Sequence, residues 1–236
     1  MHFSRAVPQV TVERVIGIPE VAAARDAASP KPGWYPVLLK AFALAAMKVP
    51  DLRRSLLTVP YPRLYEHACT VANVAVEREI DGEPAVLAFL VRQPERTPLM
   101  EIDARFRRAK SAPMNEVAEF RRLLLLSRFP RPIRRFVWWL GLRASGSWRQ
   151  KYWGIFATTS TVSGGATLVS PLCPLTTVFT FGPVQNDGSI LLRLGFDHRV
   201  LDGMAAARGL METETALRTV VLEELYSLAL PLRLAV

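Results

Sequence analysis

No charged residue occurs between Lys151 and Asp187, and this stretch constrains the fold of the 236-residue chain more than any other feature. Its length invites a membrane span, but Gly154, Gly164, Gly165, Pro171, Pro174 and Pro183 interrupt it, and threonine and serine are frequent. It reads instead as two buried strands, 154–160 and 176–183. A third strand, 190–196, follows the turn Asn186-Asp187-Gly188-Ser189.

The remaining pattern alternates strand and helix signals. Val10 and Val12 alternate with polar partners over 9–18, and Pro19-Glu20 then opens an alanine-rich helix to position 28. After the turn 29–33, Leu38, Ala41, Phe42, Ala45 and Val49 recur at helical spacing until Pro50. Positions 70–76 and 85–91 read as a hairpin around a charged turn, 77–83, in which Asp81-Gly82 supplies the turn chemistry. Thr97 caps an expected amphipathic helix, 97–110, and one long helix is expected over 202–228. No internal repeat interrupts this order, so the expectation is a single domain over 1–236.

The segment 116–149 differs in composition from its surroundings. It holds Arg121, Arg122, Arg128, Arg131, Arg134, Arg135, Arg143 and Arg149 beside Leu123 to Leu126 and Trp138-Trp139. Two short helices separated by Pro130 and Pro132 are expected, the second with Ile133, Phe136, Val137 and Leu140 on one face. That face is expected to pack on the domain or close a substrate channel, with the arginines solvated. A basic, tryptophan-rich helix also fits an anionic membrane surface through 120–143, or an acidic partner.

Cys69 and Cys173 lack metal-ligand spacing and are too few for a disulfide framework, so no metal is expected and a reducing compartment, the cytoplasm, is. Residues 1–8 carry no apolar signal region. The net charge of +9 admits nucleic acid, an anionic surface or a phosphate-bearing ligand, but no nucleic-acid-binding motif is present, and an anionic co-substrate fits at least as well.

The third strand delivers Phe196-Asp197-His198-Arg199-Val200-Leu201-Asp202-Gly203, which includes one of the three histidines. The spacing His-x-x-x-Asp-Gly fits a base held on a tight turn, a carboxylate that fixes local geometry, and a glycine where the backbone needs freedom. The plainer alternative is a satisfied core or turn histidine. His2 and His67 have no comparable context, and Cys173 reads as a buried thiol.

Residues 196–210 resemble the active-site signature of the dihydrolipoyl acyltransferase catalytic domains of 2-oxo acid dehydrogenase complexes, and more remotely that of chloramphenicol acetyltransferase. The segments 39–50, 71–76 and 156–182 fall in the same order, so the resemblance spans about 8–224. It implies an α/β, chloramphenicol acetyltransferase-like two-layer sandwich, a mixed sheet covered by helices, and a homotrimer with its active site between subunits. It implies CoA or acyl-CoA as co-substrate and His198 as general base. Thr159 occupies the place of the family's oxyanion-stabilising serine, with Ser160 beside it. Adjacent strand residues face opposite ways, so only one of the two can enter the site, and Thr159 is taken from the alignment with Ser160 as the alternate. Asp202, Gly203, Arg199 and Asp197 are implied to hold the turn.

The sequence also departs from the family pattern. The chain carries no lipoyl domain, no subunit-binding domain and no Ala/Pro-rich linker, so no covalently bound lipoyl group is expected on it, and a carrier protein or lipoyl-bearing partner would supply one. Arg53 stands where the family tends to have asparagine. The expectation is a stand-alone CoA-dependent acyltransferase acting on a thiol, hydroxyl or amine. The alternative is an inactive family member serving as a trimeric scaffold or partner-binding subunit.

Overall fold

The computed structural model describes residues 2–80, 82–160 and 168–229. Asp81 of the expected hairpin turn and the Gly164-Gly165 pair lie outside the described residues. In chain order the elements are β1 (Gln9–Gly17), α1 (Pro19–Ala27), α2 (Trp34–Lys48), β2 (Arg54–Leu57), β3 (Arg63–Glu66), β4 (Val71–Ile80) and β5 (Glu83–Arg92). They continue with α3 (Leu99–Ser111), α4 (Ala118–Ser127), α5 (Arg131–Arg143), α6 (Gly146–Tyr152), β6 (Phe156–Thr159), β7 (Thr177–Phe181), β8 (Ser189–Asp197), α7 (Gly203–Ala216) and α8 (Leu222–Ala229).

The fold is α/β, built on a mixed six-stranded sheet of order β1-β8-β7-β6-β4-β5. β4, β6 and β7 run parallel, and the other pairings are antiparallel. β2 and β3 form a separate hairpin that the sequence pattern does not announce. Phe156, Phe179, Phe181, Leu192, Leu194 and Phe196 point from one sheet face into the main core. There they meet α2, whose side chains from Pro36 to Phe42 are all buried, because it lies between the sheet and the helices α3 and α7. Phe42 stacks on Phe179 with ring centroids 4.5 Å apart and meets Phe156 edge-on at 4.9 Å.

Three boundaries differ from the sequence pattern for tertiary reasons. The charged segment 77–80 is strand, not turn, because Arg78 reaches across to donate to the carbonyls of Ala109 and Ala112 at the end of α3. The Thr97 hydroxyl does not cap α3; it donates to Gln93 O and Arg92 O, and the Leu99 amide donates to Glu224 Oε1 at 2.6 Å instead. The long C-terminal helix is divided by a wider turn at Leu217–Val221.

The carboxylate of Glu224 also pairs with Lys40, a residue only 5% exposed whose Nζ donates to Thr97 O at 2.9 Å. One side chain from α8 thereby satisfies groups on α2 and α3. Glu224→Ala leaves a buried ammonium uncompensated and an amide unpaired, and is expected to lower stability by about 3 kcal/mol in urea unfolding. A loss within experimental error would mean that water replaces the carboxylate.

The segment 116–149 forms α4 and α5, followed by a third helix, α6, that the sequence pattern did not suggest. Of the two placements expected for the α5 apolar face, packing on the domain is not observed, since Ile133, Phe136 and Val137 are exposed. Contact is made through Gly141, where a Cβ would lie 2.3 Å from Trp153 Nε1. Only a glycine permits that approach, and it turns the bulky face of α5 outward. Arg149 is not solvated either, being only 4% exposed. Among the described residues no helix is long and apolar enough to cross a membrane.

Candidate active site

The turn after β8 is fastened at every backbone step. Asp197 N donates to Thr176 O at 2.8 Å, His198 N to Pro8 O at 3.0 Å and Val200 N back to Asp197 O at 2.9 Å. The Asp197 carboxylate accepts the Arg199 amide at 3.1 Å and both Nε and Nη2 of the Arg199 guanidinium, at 2.9 and 2.7 Å. That bidentate clamp engages Arg199 beside the turn. Asp202 Oδ1 accepts Ala205 N at 2.7 Å, so this carboxylate caps α7. The imidazole of His198 projects into the open from this frame, with the Phe196 ring 5.7 Å away. Gly203 opens α7 in helical conformation, and a Cβ there would meet nothing within 4 Å. Its backbone therefore needs no special freedom, because the sharp turn is completed upstream at 197–201.

β6 presents the two hydroxyl candidates to opposite faces. Thr158 is buried on the helical side, where its Oγ1 and the Tyr35 hydroxyl meet without a well-aligned hydrogen bond, and burial pushes the tyrosine pKa up. Alternation then aims Thr159 at the face away from α2. Ser160 returns to the helical side, lining a cavity of about 620 Å³ with Trp34, Tyr35, Arg78, Phe106 and Phe181. Gly154, at φ 76°, admits the chain to this strand, since a Cβ there would lie 2.8 Å from Val71 O.

Within one chain these groups do not meet. The register aligns Phe156 with Thr177 and Thr177 with Phe196, so His198 lies beyond the end of the sheet at which β6 begins. Thr159 is three residues further along in the other direction, at least about 10 Å away along the strands alone.

Beneath the turn lies a buried polar chain that the sequence does not reveal. His67 Nδ1 meets Gln150 Oε1 at 3.2 Å and its Nε2 meets Ser55 Oγ at 3.0 Å. Ser55 in turn contacts Thr176 Oγ1, which accepts Arg149 Nη2 at 3.3 Å. Thr176 also supplies the carbonyl that holds Asp197. A lone histidine and one arginine among many carry no spacing signal, and only the β2–β3 hairpin and α6 bring them together. Burial, helped by the charges of Arg149 and Arg53 and opposed by the bond to Gln150, brings the His67 pKa down to about 4. Arg149 is likewise lowered by burial, to about 10.

The His67 shift sets a pH dependence of stability. An unfolded histidine takes a proton near pH 6.5 and the folded one only near 4, so between these values the unfolded state holds more protons. Stability is expected to fall as pH drops through that window, by up to about 3 kcal/mol. Urea midpoints at pH 7 and pH 4.5 test this, and the decline should be shallower in His67→Gln. An equal decline in both proteins would assign it to other groups.

Among the described residues no group of three or more His, Cys, Asp or Glu side chains could hold a metal ion. Burial raises the Cys173 thiol to about 11, which leaves it unsuited to act as a nucleophile.

No protein-family model matches the chain, and no curated protein sequence matches it. Solved structures do. The dihydrolipoamide acetyltransferase of Azotobacter vinelandii superposes with a TM-score of 0.63 at 21% identity, covering 93% of this chain and 85% of that one. A probable dihydrolipoamide acetyltransferase from Listeria monocytogenes gives 0.62 at 15% identity, with 92% and 87% covered. A chloramphenicol acetyltransferase gives 0.54 at 13% identity, with 92% of each chain covered. The sheet and its helical layer thus have the α/β fold shared by dihydrolipoamide acetyltransferase cores and chloramphenicol acetyltransferase.

Proposed function

We propose that residues 1–236 form one CoA-dependent acyltransferase domain, which moves an acyl group between a CoA thioester and a thiol, hydroxyl or amine acceptor. The observation that carries this reading is the exposed His198 imidazole on a turn whose other polar side chains are all engaged. In the reaction His198 takes the proton of the acceptor as the acceptor attacks the thioester carbonyl. The carbonyl oxygen becomes an oxyanion, stabilised by the Thr159 hydroxyl or, as the alternate, by that of Ser160. The carbon–sulfur bond then breaks, and the departing CoA sulfur receives the proton from the imidazolium. Asp197, Arg199 and Asp202 act by holding the turn.

The separation of His198 from Thr159 supports a site completed by another copy of the chain. We propose a homotrimer, in keeping with the trimer that the resemblance implies, located in the cytoplasm. A carrier protein or lipoyl-bearing partner is the natural source of a thiol acceptor. CoA release from acetyl-CoA, followed with a panel of thiol, alcohol and amine acceptors, tests the reading. Absence of turnover with every acceptor, together with absence of CoA binding in calorimetry, would favour the scaffold alternative.

A further inference from the structure

β5 sends alternate side chains to opposite faces of the sheet. Leu87, Phe89 and Val91 enter the main core, while Val86, Ala88 and Leu90 point the other way. There they floor a groove of about 690 Å³ walled by α4, α5 and α6, through side chains that include Leu126, Phe136 and Trp138. The volume falls in the range of roughly 300–1,000 Å³ typical of small-molecule sites. Among the described residues, Glu119 and Arg122 are the only charged ones in the lining. The groove is open, with Val86 at its mouth 73% exposed and Phe136 60% exposed.

The strand register connects this groove to the candidate site. Ala88 pairs with Ala75, and because Val74 pairs with Thr158, Ala75 lies beside Thr159 one step further on. Ala88, Ala75 and Thr159 therefore stand side by side on three successive strands and on one sheet face, about 10 Å from end to end. Ala88 lines the groove, and although Ala75 and Thr159 are not part of its lining, the register leaves only the short Ala75 side chain between its floor and the hydroxyl. An uncharged, flexible chain can lie along it with its polar end at Thr159, whereas a charged ligand would lose hydration in an apolar lining.

Resting on the acyl-transfer reading, we infer that this groove holds the hydrocarbon tail of a long-chain acyl thioester whose carbonyl lies at Thr159. The substrate class is then long-chain rather than short-chain acyl groups, a choice that the turn around His198 leaves open.

Quenching of tryptophan fluorescence reports binding, because Trp138, Trp148 and Trp153 line the groove. Palmitoyl-CoA, kept below its micelle concentration, is expected to quench saturably and to bind at least about tenfold more tightly than acetyl-CoA, since each added methylene gains apolar contact. Ala88→Phe fills the floor, and Phe136→Asp places a charge at the exposed mouth without touching the sheet. Each is expected to remove most of that preference. Equal affinities for the two thioesters would overturn the inference. So would a preference that survives both variants, quenching by anionic vesicles but not by monomeric palmitoyl-CoA, or a groove found closed by a second copy in the oligomer. The two levels separate cleanly. His198-dependent acetyl transfer without chain-length preference removes the groove alone, and a groove-dependent preference without transfer of any acyl group removes the catalytic reading.

Discussion

His198→Ala is expected to lower kcat/KM for acyl transfer by roughly 10²- to 10⁴-fold, the range associated with loss of a positioned general base. The turn is held by backbone bonds that its amides donate to the Pro8 and Thr176 carbonyls, by the Asp197–Arg199 clamp and by the Asp202 cap, and its backbone is expected to survive loss of the imidazole. Thermal stability should therefore stay close to that of the unsubstituted protein, since exposed side chains outside such features cost little to remove. Activity and stability are thus expected to part company at this residue. Equal turnover in the two proteins would remove His198 from the mechanism, and a large fall in melting temperature would make it a structural histidine.

Two inactive proteins are expected to restore one another when mixed. Thr159→Val should lose about 100- to 1,000-fold in rate if its hydroxyl stabilises the oxyanion. His198 and Thr159 lie toward opposite ends of the sheet within one chain, so under the proposed mechanism a working site takes the first from one copy and the second from another. Unfolding and refolding His198→Ala with Thr159→Val in equal amounts would pair the two intact groups by chance. Random assembly should then return about a quarter of the original activity, provided each site draws on two copies. Recovery is read as CoA release before and after co-refolding. Retained activity in Thr159→Val alone would assign the oxyanion to Ser160, and no recovery from two inactive proteins that form mixed oligomers would mean that the site closes within one chain.

The candidate centre was legible in part because its chemistry is local. His198 to Gly203 forms one turn and the first helical residue, so spacing alone suggested a base with a carboxylate close by, and the cap made by Asp202 is a contact over three residues. The alternation of a strand likewise separates Thr158, Thr159 and Ser160 without any knowledge of neighbours. The support beneath the turn was not legible. Ser55, His67, Arg149 and Thr176 come from four separate parts of the chain, and nothing in their spacing distinguishes Arg149 from the exposed arginines that precede it.

The same division runs through the fold. Hydrophobic periodicity and the turn residues determine where most strands and helices lie, because these signals arise between residues a few positions apart. Tertiary contact decided what periodicity cannot encode. It made a strand of the charged residues 77–80 through the reach of Arg78, capped α3 with Glu224 from the far end of the chain, and seated α5 on Gly141 so that its apolar face stayed open. The uncharged run from 152 to 186 contains β6 and β7, which carry the sheet through its centre. By itself it specified buried strands; their order, their parallel direction and the face shown by Thr159 depend on pairing with β4 and β8, which is a property of the whole sheet rather than of any segment.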